Sequence, residues 1–332
     1  MFTHIRKIQG LLAVAGALAA SGAVAAERTW TVQGTELRIT SPCAKTISIE
    51  PASGLAGQVQ VEATSAHPEE IDQLAVSGGS VASISKTGQN CWNPAPHVEI
   101  GNVHIGVSSD PTLALTVRVP AGMALAIKEG GIGEYHIGAV GGSLHLDLTG
   151  SGSVDAEEAK DFNLSISGSG DARLGSVGGR LDGRISGSGS LTVAKAVLSS
   201  TDLKITGSGD VTIDEGTLGA LTLAVHGSGD VKGPAATGVH YEGTGSGKLF
   251  LRSVSAASVS VKVSGNGDVS LGDGTIGTLT VLSSGSSDIR VAASVTDADL
   301  TVRGSGDVTV DRVTGQLNRV EKGSGTIKIH NR

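Results

Sequence analysis

The sequence predicts an all-β protein, a single-stranded right-handed parallel β-helix of about eleven coils of 18–20 residues with an irregular β region at its N-terminal end. Three observations predict it. Glycine supplies 50 of 332 residues, about twice the usual share. A Gly-x-Gly-type tetrapeptide begins at Gly131, Gly150, Gly168, Gly187, Gly207, Gly227, Gly245, Gly265, Gly285, Gly304 and Gly323, at steps of 18–20 residues. Apolar residues flank each tetrapeptide with a period of two, which is the signature of strands rather than helices. With only 8 Pro and no three-residue glycine period the chain is not collagen, and 39% hydrophobic residues make it too apolar for a disordered linker.

From the N-terminus, residues 1–26 read as a secretory signal. Arg6 and Lys7 form its basic start, Leu11 to Ala20 its apolar stretch, and Ala23 to Ala26 a small-residue cleavage region before Glu27. The apolar stretch is too short to span a bilayer, so no transmembrane segment is expected after cleavage, and the mature chain is expected in the periplasm, secreted, or at the cell surface. Loss of Arg6 and Lys7 takes the formal charge from -7 to -9, a field that argues against nucleic acid or anionic lipid as partner. In an oxidising compartment Cys43 and Cys91 are expected to form one disulfide, worth about 4 kcal/mol in the loop-entropy picture.

Residues 27–120 lack the tetrapeptide but keep short alternating runs, Glu36 to Thr40, Thr46 to Glu50, Gln58 to Ala63, His97 to Val107 and Leu113 to Val119. They are expected to form irregular first coils or a small β cap, with Trp30 and Trp92 packed inside it and Pro68 to Ile71 making one helical turn. A solenoid needs such an end cover.

Residues 121–332 form the regular part. Counting from the first glycine of each unit as position 0, apolar residues fall at −4 and −2 (Leu203 and Ile205, Val261 and Val263) and at +4 and +6 (Val211 and Ile213, Val308 and Val310). The connections carry one more apolar residue each, at Val177, Val197, Leu218, Val254, Ile276, Val295 and Val313. A fixed register favours stacking of equivalent strands in parallel around one continuous core, about 50 Å long at ~4.8 Å per coil. By parity the two glycines face inward, either thinning the core wall or supplying a positive-φ corner, while Ser at +1 and Asp at +3 face out. At the far end Lys328, His330 and Arg332 are expected to guard the open edge, where end-to-end self-association is possible.

The +3 residues Asp171, Asp210, Asp230, Asp268, Asp288 and Asp307 form a column broken by Ser190 and Lys248. Like charges ~4.8 Å apart repel by about 0.9 kcal/mol in a water-like dielectric, so a solvated acidic ridge is the first expectation. The stretch Asp268, Asp288, Asp307 is the candidate for a bound Ca2+, although calcium-binding glycine repeats recur every nine residues and offer carbonyl ligands within one turn.

Repeated Gly-Ser-Gly-Asp followed by alternating Val and Ile, preceded by Leu113 to Pro120, resembles the bacterial auto-transporter adhesin, head GIN domain family over about residues 113–329. The resemblance implies export and a right-handed β-helix. The sequence reaches Asn331 and Arg332 without a long aromatic-edged barrel region, so self-export is not expected. No catalytic residues are nominated. A cleft would need long corner loops, whereas no coil exceeds 20 residues; the acid pairs Glu69–Glu70, Glu157–Glu158 and Asp214–Glu215 sit in presumed turns, and His145 and His226 face outward. The expected function is therefore a non-enzymatic, adhesin-like envelope scaffold for glycan or protein contacts, with a β-helical polysaccharide lyase or hydrolase and a purely structural spacer as the alternatives.

Overall fold

In the computed structural model, residues 25–87, 98–100, 103–105 and 111–331 are described. Apart from Ala25 and Ala26, the signal segment lies outside them, as do Cys91, Trp92 and Arg332. The described residues form strands throughout, with one short helix at Pro68–Asp72 where the helical turn is expected.

Parallel pairing runs through the regular part without a slip in either of two rows. One row joins Leu125, Leu144, Phe162, Leu181, Thr201, Leu221, Val239, Val259, Leu279, Ala298 and Leu317, all at position −6. The other joins the +4 residues from Tyr135 and Val154 to Val308 and Ile327. Their steps are those of the tetrapeptide itself, so the glycine spacing and the coil are the same repeat. Eleven strands in a row enclose a solenoid of about ten turns. Inward residues make one core cluster from Leu37 to Ile327.

Before the regular part, the chain order and the stacking order differ. Strand Glu36–Thr40 pairs in parallel with Ala124–Glu129 on one side and Val81–Lys86 on the other. Strand Thr46–Pro51 likewise lies between Glu134–Ile137 and Ala114–Val119. The coil made by residues 36–51 is thus threaded between two later segments. Beyond Ala114–Val119 pairing turns antiparallel, through Gln58–Ser65 to Ala26–Gln33. Trp30 packs half-buried against the core, with Arg28 5.7 Å over its ring.

The connection residues Val177, Leu218, Val254, Ile276 and Val295 are buried, and Val313 is partly so. Val197 is not: it is 60% exposed. In that coil Ala196 pairs with Val177 and takes the inward place, Leu198 is buried too, and alternation turns Val197 outward. The far edge carries charge in two places. Lys328 and His330 are tied down the stack to Asp307 (2.7 Å) and Asp311 (3.4 Å). Arg319 and Glu321 also occupy positions −4 and −2 of the last described coil, inward by register with Leu300 and Val302 and exposed at the open end. Inward charge at a sheet edge opposes addition of a further apolar strand.

Position −2 shows how tightly the core is specified. Ile205 is fully buried between Ile185 and Val225. Replacing Ile205 by Asp places an unpaired charge among three coils, a penalty of several kcal/mol. We expect Ile205→Asp to abolish cooperative thermal unfolding followed by circular dichroism, whereas a wild-type melting curve would refute the inward assignment.

Candidate functional site

The glycine corner sets the geometry of every outward surface. At Gly207 φ is +132°, a region that side-chain-bearing residues avoid, and a Cβ there would lie 2.5 Å from the carbonyl oxygen of Gly187. The second glycine acts differently: a Cβ on Gly209 would sit 2.3 Å from the Gly189 oxygen and 2.6 Å from Cγ2 of Ile185. Both sequence expectations therefore hold, divided between the two residues. The first glycine turns the corner, and the second leaves room for the β-branched −2 side chain of the coil before. The close approach permits a main-chain ladder, in which the N–H of each +1 residue donates to the position-0 carbonyl one coil earlier, from Ser151 to Gly131 (3.0 Å) through Ser208 to Gly187 (2.9 Å) to Ser324 to Gly304 (3.0 Å).

At +3 the carboxylates are main-chain acceptors rather than a merely solvated ridge. All six aspartates take the N–H of the +3 residue one coil on: Asp171 from Ser190 (2.9 Å), Asp210 from Asp230 (2.7 Å), Asp230 from Lys248 (2.9 Å), Asp268 from Asp288 (3.2 Å), Asp288 from Asp307 (2.9 Å) and Asp307 from Thr326 (2.9 Å). The remaining oxygens of the calcium candidates are partly engaged as well, Asp268 with Lys248 (3.3 Å) and Asp307 with Lys328 (2.7 Å). The Lys328 bond, followed by those from Thr326, lowers the Asp307 pKa to about 2. Among the described residues no three His, Cys, Asp or Glu side chains come together to hold a metal ion. Nor do Asp268, Asp288 and Asp307 converge on a point; each reaches toward its neighbour along the stack.

The corner is thus structural, and the open surface lies on the two strand faces. One face carries a shallow groove of about 640 Å³ across the first coils. Its axis is the −5 column, in which Arg38, Ala126, His145, Asn163, Asp182 and Asp202 are register neighbours. Arg38 bonds Glu36 at 3.1 Å, Arg184 bonds Asp182 at 3.0 Å, and the Arg180 N–H donates to Asp161 at 3.1 Å. The side chains of His145, Asn163, Ser200 and Asp202 have no partner among the described residues. A second depression, about 600 Å³, follows the +5 column from Ser48 through His136, Asp155 and Arg173 to Thr192, floored where Gly138, Gly175 and Ala194 project little.

Of the residues weighed for chemistry, His145 lines the first groove and His226 bonds Thr244 (2.7 Å) on the corner flank. Glu70 is held by Ser65 (2.5 Å) and by the Thr112 hydroxyl (2.9 Å), a local structural role. Sequence reasoning did not find the grooves, yet the signal was available. Counting five back from each glycine reads the −5 column directly.

Inside, polar residues break the apolar rows in several coils, two of them at tyrosines. Glu129, at position −2, is buried and accepts from the Tyr135 hydroxyl (2.7 Å) and the Gly131 N–H (2.6 Å). Burial, then the Glu129 charge and this bond, hold the Tyr135 pKa well above its ordinary value. Tyr241 fills the space left by Gly243 at −2, but its hydroxyl has no hydrogen-bond partner, and burial pushes its pKa up to about 12.

The chain belongs to the family described as "putative auto-transporter adhesin, head GIN domain", whose model matches residues 17–235 and 235–332. Among solved structures it is similar to a "putative adhesin" from Parabacteroides distasonis (16% identity, TM-score 0.38, 92% of this chain and 97% of that one). It is also similar to a "putative lipid binding protein" from the same species (15%, 0.36, 91% and 96%) and to a "putative adhesin" from Bacteroides fragilis (15%, 0.29, 93% and 98%). Comparison with curated protein sequences finds no match.

Two predictions follow from the geometry. Asp171 accepts from both the N–H and the hydroxyl of Ser190, the latter at 2.6 Å. Asp171→Ala should cost about 1–2 kcal/mol in chemical denaturation and Asp171→Asn clearly less, because the amide oxygen still accepts; equal effects would mean that charge, not acceptance, matters.

The two buried tyrosines link stability to alkaline pH. Both have folded pKa values raised above the unfolded value of about 10, so their contribution is complete below that pH and is lost as pH rises toward and through the folded values. Stability should fall above about pH 10, and the Tyr135→Phe, Tyr241→Phe double variant should flatten that limb in pH-dependent melts.

Proposed function

We propose that this protein is an exported, non-enzymatic scaffold of the cell envelope or surface that makes adhesin-type contacts, with a glycan or a protein, through its strand faces. The observation that supports this most is the arrangement of the −5 and +5 columns: polar side chains at regular coil spacing line two wide, shallow grooves rather than converging on a point. General acid–base chemistry needs positioned groups around one reacting atom, and spread columns suit distributed contacts instead. Membership of the adhesin family and the signal-like residues 1–26 agree with export. Cys43 and Cys91 then form the disulfide of the mature chain.

Fractionation of cells producing the full chain should find it outside the cytoplasm with an N-terminus near Glu27, and beads coated with it should adhere to glycan- or protein-coated surfaces. Cytoplasmic retention would overturn the export assignment, and turnover of a polysaccharide by the purified chain would replace the scaffold with an enzyme.

A further inference from the structure

We infer that the groove across the first coils binds an uncharged glycan chain lying along the stack axis; this rests on the adhesin reading and names its ligand class. The first observation is the pattern of free hydrogen-bonding groups. Asn163, Asp182 and Asp202 are successive register partners, so a donor–acceptor amide is followed by two carboxylates at about one coil spacing, ~4.8 Å, with His145 preceding them. The Asn163 amide, the His145 ring and the Asp202 carboxylate have no partner among the described residues. Asp182 has one oxygen committed to Arg184.

A vicinal diol answers that pattern, because one hydroxyl donates to a carboxylate while its neighbour accepts from an amide N–H. The column spacing is close to the length of one sugar ring, so consecutive rings meet consecutive coils. The anionic groups of a charged ligand offer only acceptors, which the carboxylates cannot answer. They are also repelled: Glu36, Asp161, Asp182 and Asp202 face two arginines, Arg38 and Arg180, each already beside a carboxylate (3.1 and 3.9 Å). An extended peptide lacks its usual mode of attachment, since the strands at 144–148, 162–166 and 181–185 are paired on both sides and present no free edge in the groove. The volume, about 640 Å³, accommodates several rings, and its open form gives weak binding at each site. Weak single contacts become useful adhesion when many copies of the chain engage one polymer.

The test uses the full mature chain with oligomers of glucan, mannan, galactan and xylan as neutral probes, and polygalacturonate and a sulfated glycan as anionic ones, read by calorimetry and by saturation-transfer NMR. At least one neutral probe should bind, and the double variant Asn163→Ala, Asp202→Ala should weaken it by about tenfold or more with an unchanged melting curve. Ser324→Ala, exposed at the corner of the last coil and outside both columns, should leave binding as it is. Preference for an anionic probe, binding that the double variant leaves as it is, or no binding of any neutral probe would overturn the assignment. If no probe binds but coated beads still adhere, the ligand class fails and the adhesin reading stands; if the beads do not adhere either, both fail.

Discussion

Where two coils of this protein turn the same corner, their backbones come so close that no Cβ fits between them. That constraint organises the rest of the molecule. The position-0 carbonyl accepts the +1 N–H of the next coil only because Gly faces Gly; with a side chain there, coils such as Gly187 and Gly207 would separate and the ladder would open. Once the corner is fixed, parity decides which residues face in, and the step of 18–20 residues decides which become neighbours. The aspartate that follows completes the corner by accepting the next +3 N–H, much as a side chain caps a helix end. Repulsion along the Asp column is thus opposed by hydrogen bonds made in every coil where an Asp occurs.

Departures from the repeat are paired, which shows the close packing of the core at work. Where the second glycine becomes Ser287, position −2 becomes Ser283, and the two buried hydroxyls lie 3.0 Å apart. Where −4 becomes Tyr241, −2 shrinks to Gly243. Glu129 at −2 is matched by Tyr135 at +4, and the buried hydroxyl of Thr201 donates to the Leu218 carbonyl at 2.7 Å. Among the buried side-chain polar atoms of the described residues, only the Tyr241 hydroxyl is left without a partner, a local loss that the neighbouring coils tolerate.

The coil, its register and the inward faces of the regular part were legible in the sequence because one motif fixes them all: the spacing of the glycines is the spacing of the strands. What stayed hidden depends on relations between coils that a linear pattern does not display. The carboxylate bonds from Asp171 to Ser190 or from Asp288 to Asp307 join residues 19 apart, so composition alone shows charge and not acceptance. Val197 faces out because Ala196 claims the inward place in that coil. The threading of residues 36–51 between strands 81–86 and 114–119 on one side and 124–129 and 134–137 on the other leaves no periodic trace, since each strand alternates as it would in chain order.

The same separation of roles explains how such a fold acquires function. Inward positions and the corner are held by packing and by main-chain bonds, so substitutions there are costly. Outward positions at −5 and +5 are held by neither, yet their side chains remain at fixed spacing because the backbone beneath them is fixed. A column can therefore change from Arg38 through Asn163 to Asp202 with little effect on the coil. Specificity written in such columns is linear and repetitive, a form that suits a polymeric ligand better than a compact one, and it needs no loop, lid or cleft to build it.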